Sequence, residues 1–310
     1  MTTMLGIKTL DLNLFEQGDA KRQANQIAAR YMSRGGIDWT SLLNGGAAFL
    51  AFAGIFFWGA TAEALWVKLC LGLLLQTWLG FVCFNITHEL AHGIVFKGPR
   101  QYRMLNHIIG SLIGMVTLTP YHGFRITHLA HHHNVNDPKE DPNYWVLRGH
   151  ILHVVFKLVF GMVYDHAAMV KYGLEKRRKD ILLFFAGFWL SVIALATVLA
   201  GFVGWLNVFL LWLVPAYLSF SLVFMAVAVI PHRQSPDAPQ EQIMHILILP
   251  GFTQAISTFL HAGHNYHLLH HAYPRVPSHH YARMARELFE VQENQLTQPE
   301  APRPMAAEAC

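Results

Sequence analysis

The sequence predicts an all-α integral membrane protein with four transmembrane helices in two hairpins and a cytoplasmic helical cap. Three observations predict it. Only 14% of the residues are charged and 53% are hydrophobic, whereas a soluble domain carries about 25% charged residues. Long stretches have no charge at all: 52 residues between Asp180 and Arg233, 24 between Asp38 and Glu63, and 20 between Lys68 and Glu89. About 20 apolar residues cross a bilayer, so the longest run holds two crossings. Finally, the bases segregate. With both hairpin tips outside, the inner segments hold 22 of the 23 Lys and Arg, leaving only Lys68. The positive-inside rule then puts both termini in the cytoplasm, in a membrane of the bacterial inner type. A soluble globule and a disordered chain are both excluded.

The whole chain, 1–310, reads as one domain without repeats or linkers. Residues 1–41 form a polar cytoplasmic segment in which no cleaved signal peptide is expected. The first hairpin, 42–84, is formed by helices over Leu42–Gly59 and Leu65–Phe84, with Glu63 at its tip. Residues 85–180 form cap. Within them 104–124 is long and apolar enough to cross, but crossing would carry nine bases outside, so it is expected as a buried or interfacial helix. Ile151–Tyr164 mixes apolar residues with His153 and Lys157, as an amphipathic helix lying on the membrane would. The run Lys176–Lys179 anchors the second hairpin at an anionic leaflet. That hairpin, 181–230, is formed by Ile181–Val203 and Trp205–Ile230, the latter kinked at Pro215. Residues 231–290 return to the cap, and 291–310 are expected to be a disordered tail.

Chemistry is carried by the 20 histidines, none of which precedes His88 or lies between His166 and His232. All therefore fall on the cytoplasmic side of the derived topology. His88 and His92 form H-x3-H. His128, His131 and His132 form H-x2-H-H, and His267, His270 and His271 repeat it. Residues i, i+3 and i+4 share one face of a helix, so each array aims its rings at a common point. Imidazole suits iron, zinc and copper, and eight convergent rings exceed the four ligands of a zinc site, which points to two metal ions. His232 could add a ninth ligand. Glu89, Asp137, Asp141 and Asn265 are the candidates to orient the metal-bound rings, because such a ring generally donates its other N–H to a nearby acceptor. Asn136–Asp141 reads equally well as a helix stop with a proline turn. His107, His150, His153, His166, His279 and His280 read as ordinary interfacial side chains. His122, His133, His261 and His264 adjoin the arrays without a defined phase. Cys70, Cys83 and Cys310 form no CxxC, so neither a zinc ribbon nor a thiolate-held cluster is expected.

Taken together, the three arrays resemble the membrane fatty-acid desaturase and hydroxylase superfamily over roughly 80–285. The resemblance implies a histidine-ligated di-iron centre that uses O2 to attack unactivated C–H bonds of lipids. His88, His92, His128, His131, His132, His267, His270 and His271 would be the iron ligands. HLAHHHNVNDPKEDP (128–142), PHR (231–233) and NYHLLHHAYPRVP (265–277) look most like β-carotene hydroxylases of the cyanobacterial type, while PSHHY (277–281) looks like some acyl-lipid desaturases. Acyl-CoA desaturases carry Asn four residues before the position of His232, where this chain has Ala228. Carotenoid ring hydroxylation is therefore the leading expectation, with fatty-acyl desaturation the alternative and decarboxylation to a terminal alkene a third outcome. The expected cofactors are two iron ions, with no haem and no flavin. Electrons would come from a separate ferredoxin or cytochrome, the substrate would be a membrane lipid, and no nucleic acid partner is expected.

Two rival classes remain. His88-Glu89-Leu90-Ala91-His92 also matches H-E-x-x-H, the zinc protease pattern with Glu as general base. That reading needs a further ligand, often an Asp in a later helix, yet 181–232 contains no Asp, and it leaves two arrays unexplained. A metal transporter or haem cytochrome would place ligands within the spans, yet here they sit at the span ends.

Overall fold

The computed structural model describes residues 7–32, 35–146, 151–229 and 245–297. Four helices in it are long and apolar enough to cross a membrane: α2 (Trp39–Thr61), α3 (Leu65–His92), α7 (Lys179–Val203) and α8 (Trp205–Val227). They match the four runs read from the sequence, each with its own start and stop. Asp38 caps α2 by accepting from the Ser41 N–H at 2.9 Å, which satisfies a donor the helix cannot. Gly93, at φ 68°, ends α3 one residue after His92, in the left-handed conformation that suits glycine. The α3 helix therefore runs two turns beyond the expected Phe84 and carries the first histidine pair rigidly into the cap.

The spans approach closely where side chains are small. A Cβ on Gly45 of α2 would fall 2.6 Å from Ile86, and one on Gly72 of α3 would fall 2.1 Å from the Leu210 carbonyl of α8. Gln76 is fully buried and donates to the Phe52 and Leu211 carbonyls at 3.0 and 3.1 Å, tying three spans together. Just before Pro215, where a kink is expected, the helix makes a π-helical turn, Phe209–Leu213. A widened turn accommodates the ring and the missing N–H.

Between the hairpins, α4 (Arg100–Val116) and α5 (Tyr121–His133) form a helical hairpin, so the single helix expected over 104–124 is broken between Val116 and Tyr121, where Pro120 precedes α5. Gly110 lets α5 turn back against α4, because a Cβ there would meet the Tyr121 ring at 2.3 Å. Helix α6 (Ile151–Glu175) exposes Val155, Phe156, Val159, Phe160 and Val163 and buries Met162 and Met169. It is amphipathic as expected but continues three turns past Tyr164.

The N-terminal segment proves integral to the cap. Strand β1 (Lys8–Asp11) pairs antiparallel with β4 (His245–Ile248), and β2 (Gly36–Ile37) with β3 (Phe96–Lys97). Helices α1 (Gly18–Tyr31) and α11 (Tyr281–Thr297) share a core of Leu10, Ala24, Ile27, Leu269, Met284 and Leu288 with α10 (His267–Ala272). The disorder expected from 291 onward is corrected here as far as Thr297. Gln292 is buried and bonds both ways with β1, accepting from the Asp11 N–H at 2.8 Å and donating to the Thr9 carbonyl at 2.9 Å. Its partner lies 281 residues away in sequence, which is why the local reading missed it. The remaining helix, α9 (Phe252–Leu260), leads into the third array.

Candidate metal centre

Three rigid elements bring the arrays together. His88 and His92 stand one turn apart at the end of α3, His128, His131 and His132 near the end of α5, and His267, His270 and His271 on α10. The ligand atoms of His88, His92, His128, His132 and His270 all lie within 4.8 Å of one another and could hold a metal ion. Nε2 of His92 lies 2.9 Å from Nε2 of His128, which lies 3.1 Å from that of His132, in turn 3.1 Å from that of His270. Nitrogens about 2.1 Å from a shared ion at right angles would sit about 3.0 Å apart, so the spacing fits such an ion. The donor set fits as well. Nε2 of His88 is buried without a hydrogen-bond partner, an expensive arrangement unless something else fills its lone pair. Burial and neighbouring rings hold His128 and His270 well below the ordinary histidine value, so both rings are neutral at pH 7, the form that can ligate a metal.

The other three rings form a second group. His271 Nε2 lies 3.0 Å from His267 Nε2, and the His131 and His271 rings stand perpendicular with centroids 5.1 Å apart. His132 stacks on His271 at 4.2 Å, so the two groups adjoin. His232 lies outside the described residues, as does the side chain of Ala228.

Of the residues expected to orient the rings, Asp141 does so. It takes the Nδ1–H of His131 at 2.9 Å in a buried pair and is itself held by the N–H groups of Asn136 and Asn143. Asp137 does not: it is exposed and accepts from the Lys139 and Glu140 N–H groups, forming the turn that was the other reading of this stretch. Glu89 does not touch a ligand ring either. Its buried carboxylate accepts the Ser278 N–H at 2.6 Å and hydrogen bonds from the Ser41 and Ser278 side chains. It fastens α2, α3 and the loop after the third array together, and so is not placed as a protease base. Asn265 donates to Thr258 Oγ1 at 3.3 Å, while its Oδ1 is buried without a partner.

One neighbour, Tyr281, escaped the sequence reading, and another, His264, has no defined phase there. Tyr281 Oη lies 2.8 Å from His270 Nδ1, so a His270 with its Nε2 lone pair toward the centre donates to it. His264 is buried with Nε2 unpartnered, its ring 6.1 Å from His88 and 5.2 Å from Phe81. Burial lowers its pKa to about 3. The signal was there: 261, 264, 267 and 270 are all histidine, and the 3₁₀ turn His264–Tyr266 eclipses every third residue. His133, by contrast, bonds the Leu129 carbonyl, His261 the Ser257 carbonyl and His122 pairs with Asp180, all away from the centre. Toward the membrane the site is floored by Phe81, Phe84 and Val223, with Phe124 stacked on His128 at 5.1 Å.

The family model for fatty acid desaturases matches residues 64–299, which contain all eight array histidines. The chain belongs to the fatty acid desaturase family, an oxidoreductase family. Among curated desaturases, it is 23% identical over 251 residues to the Arabidopsis thaliana chloroplastic sn-2 acyl-lipid omega-3 desaturase (ferredoxin), covering 72% of this chain and 55% of that one. It is 24% identical over 244 residues to the Ricinus communis chloroplastic omega-3 fatty acid desaturase, 69% of this chain and 52% of that one. A shorter match, 34% over 71 residues, joins it to the Arabidopsis thaliana endoplasmic reticulum acyl-lipid omega-3 desaturase (cytochrome b5), 23% of this chain and 17% of that one. The chain thus spans about half the length of the first two desaturases. The carotenoid hydroxylation expected from the finer motifs finds no support in these relatives, and the acyl alternative fits them better.

Proposed function

We propose that this protein is an O2-dependent di-iron desaturase acting on a fatty-acyl chain of a membrane lipid. The observation that carries the reading is the five-imidazole cluster His88, His92, His128, His132 and His270, adjoined by His131, His267 and His271. All eight rings would hold two iron ions, His232 being a ninth candidate ligand. Iron in a nitrogen-rich site with open positions supplies O2 activation and the removal of hydrogen from an unactivated carbon. The chain's own residues do the rest. Asp141 and Tyr281 hold the rings of His131 and His270 in one tautomer and orientation. Glu89 keeps the third array seated against α3 through Ser278. The aromatic floor excludes water and presents apolar surface to a hydrocarbon chain. A further apolar cavity of about 390 Å³, bounded by Phe49, Phe52, Ile113, Leu199 and Trp212, leaves room for such a chain among the spans.

Desaturation consumes two electrons, for which the three cysteines provide no cluster. A separate ferredoxin or cytochrome is the donor, as the names of the Arabidopsis thaliana relatives indicate for those proteins. The cap lies on the cytoplasmic side of a bacterial-type inner membrane, supported by the placement of 22 of the 23 bases.

The test is mass spectrometry of total lipids from a bacterial host that makes β-carotene, supplies a ferredoxin and its reductase, and expresses this chain or its His132→Ala variant. New double bonds in acyl chains, only with the unaltered protein, are expected. Oxygenated carotenoids with unchanged acyl chains would overturn the desaturase reading in favour of hydroxylation.

A further inference from the structure

Helix α5 presents more than metal ligands along its inner stripe. Tyr121, Arg125, His128 and His132 follow one another at spacings of four, three and four residues, the positions that share one helical face. Arg125 stands one turn before His128, partly buried. Among the described residues it makes no ion pair and no hydrogen bond. The nearby acid is already engaged: Asp180 accepts from His122 at 3.0 Å and from Arg178 at 2.6 Å. The charge of the Arg125 guanidinium is nevertheless felt at His92, His107 and Tyr121.

A lone guanidinium in this place is electrostatically incomplete. The clustered ligands beside it are all imidazoles, without a carboxylate among them, so bound metal adds positive charge that its ligands do not cancel. A partly buried cation beside such a centre is strongly stabilised by an anion. The level is also right, because His122, one turn earlier on α5, bonds Asp180 in the first turn of the α7 span. Lipid head groups occupy that depth. An arginine fork matches the two oxygens of a carboxylate or a phosphodiester.

We infer that Arg125 anchors the anionic end of the substrate, either the carboxylate of a free fatty acid or the phosphodiester of a phospholipid. The inference rests on the acyl-lipid reading above and names the class of acyl compound that the site takes.

The experiment measures binding to purified full-length, iron-loaded protein in an uncharged detergent. The probes are radiolabelled palmitate, methyl palmitate and dipalmitoyl phosphatidylglycerol. The unaltered protein should bind an anionic probe more tightly than the ester. Arg125→Gln should weaken that binding roughly ten- to hundredfold, the scale of hydrogen bonds to charged groups, with ester binding and iron per chain unchanged. Arg125→Lys should recover part of it. Loss confined to palmitate identifies the free acid, and loss confined to the phosphatidylglycerol identifies the phospholipid. Equal binding of acid, phospholipid and ester by the unaltered protein overturns the inference even if Arg125→Gln fails to fold, and so does anion binding that Arg125→Gln leaves unchanged. Product analysis after a ferredoxin, its reductase, NADPH and O2 are added to the same samples separates the two readings. Arg125-dependent binding without oxidation of any probe keeps the anion site and removes the desaturase.

Discussion

Asp141 shows how much one side chain outside the ligand set can decide. It holds the Nδ1–H of His131 while two backbone N–H groups hold Asp141 in turn, so the ring that would serve the second group of ligands cannot rotate. Asp141→Asn should lower iron affinity by about 10- to 100-fold, read as iron per chain after dialysis against graded chelator. Tyr281→Phe removes the oxygen beside His270 Nδ1 and should lower iron retention in the same assay, by less, because the ring stays packed. His264 sets a pH dependence. Its ordinary value of 6.5 falls to about 3 through burial, so the unfolded chain takes up its proton first as pH drops. Its contribution to stability is then full above about pH 6.5 and is lost progressively toward pH 3. Thermal unfolding of the iron-free protein should show a midpoint that falls between pH 7 and pH 5, and His264→Asn should flatten that slope.

At the scale of elements, the spans are set by hydropathy and the contacts between them by small residues. Gly72 lies against the Leu210 carbonyl, where a Cβ would arrive at 2.1 Å. Backbone cannot yield as a side chain can, so Gly72→Val should destabilise the protein by at least about 1–3 kcal/mol, seen as a lower midpoint in detergent. The four spans and the three arrays were legible from local pattern, whereas the break that splits 104–124, expected as one continuous helix, into α4 and α5 was not. The length of α3 beyond Phe84 was not legible, because its stop is a single glycine after His92. Glu89 and Asp137 were misread for a related reason. Proximity in sequence suggested ring partners, but Glu89 sits beside His88 and bonds Ser278, 189 positions away. Tyr281 was invisible on the same ground, eleven residues from His270 and joined to it only by the fold of the cap.

Across the whole molecule, the cap is a joint product of both chain ends. Strand β1 pairs with β4, and α1 packs on α11 over the helix that carries the third array. Deleting residues 7–31 should leave the four spans in the membrane yet lower iron per chain to well under half. Membrane fractionation and metal analysis of the same preparation check both halves of that statement. Full iron content in the shortened chain would show that α10 holds its position without the N-terminal segment.

The pairing of residue 8 with residue 248 also imposes a schedule. Strand β1 is made before its partner β4 and stays unpaired until some 240 further residues have been made and two hairpins inserted. During that interval it must be kept from other edges, since an unpaired strand is a template for aggregation. The third array is seated only afterwards, so the centre is completed late, once both hairpins and this pairing are in place. Any metal the centre takes would then be bound after both hairpins are in place, so inserted protein can exist before it is loaded.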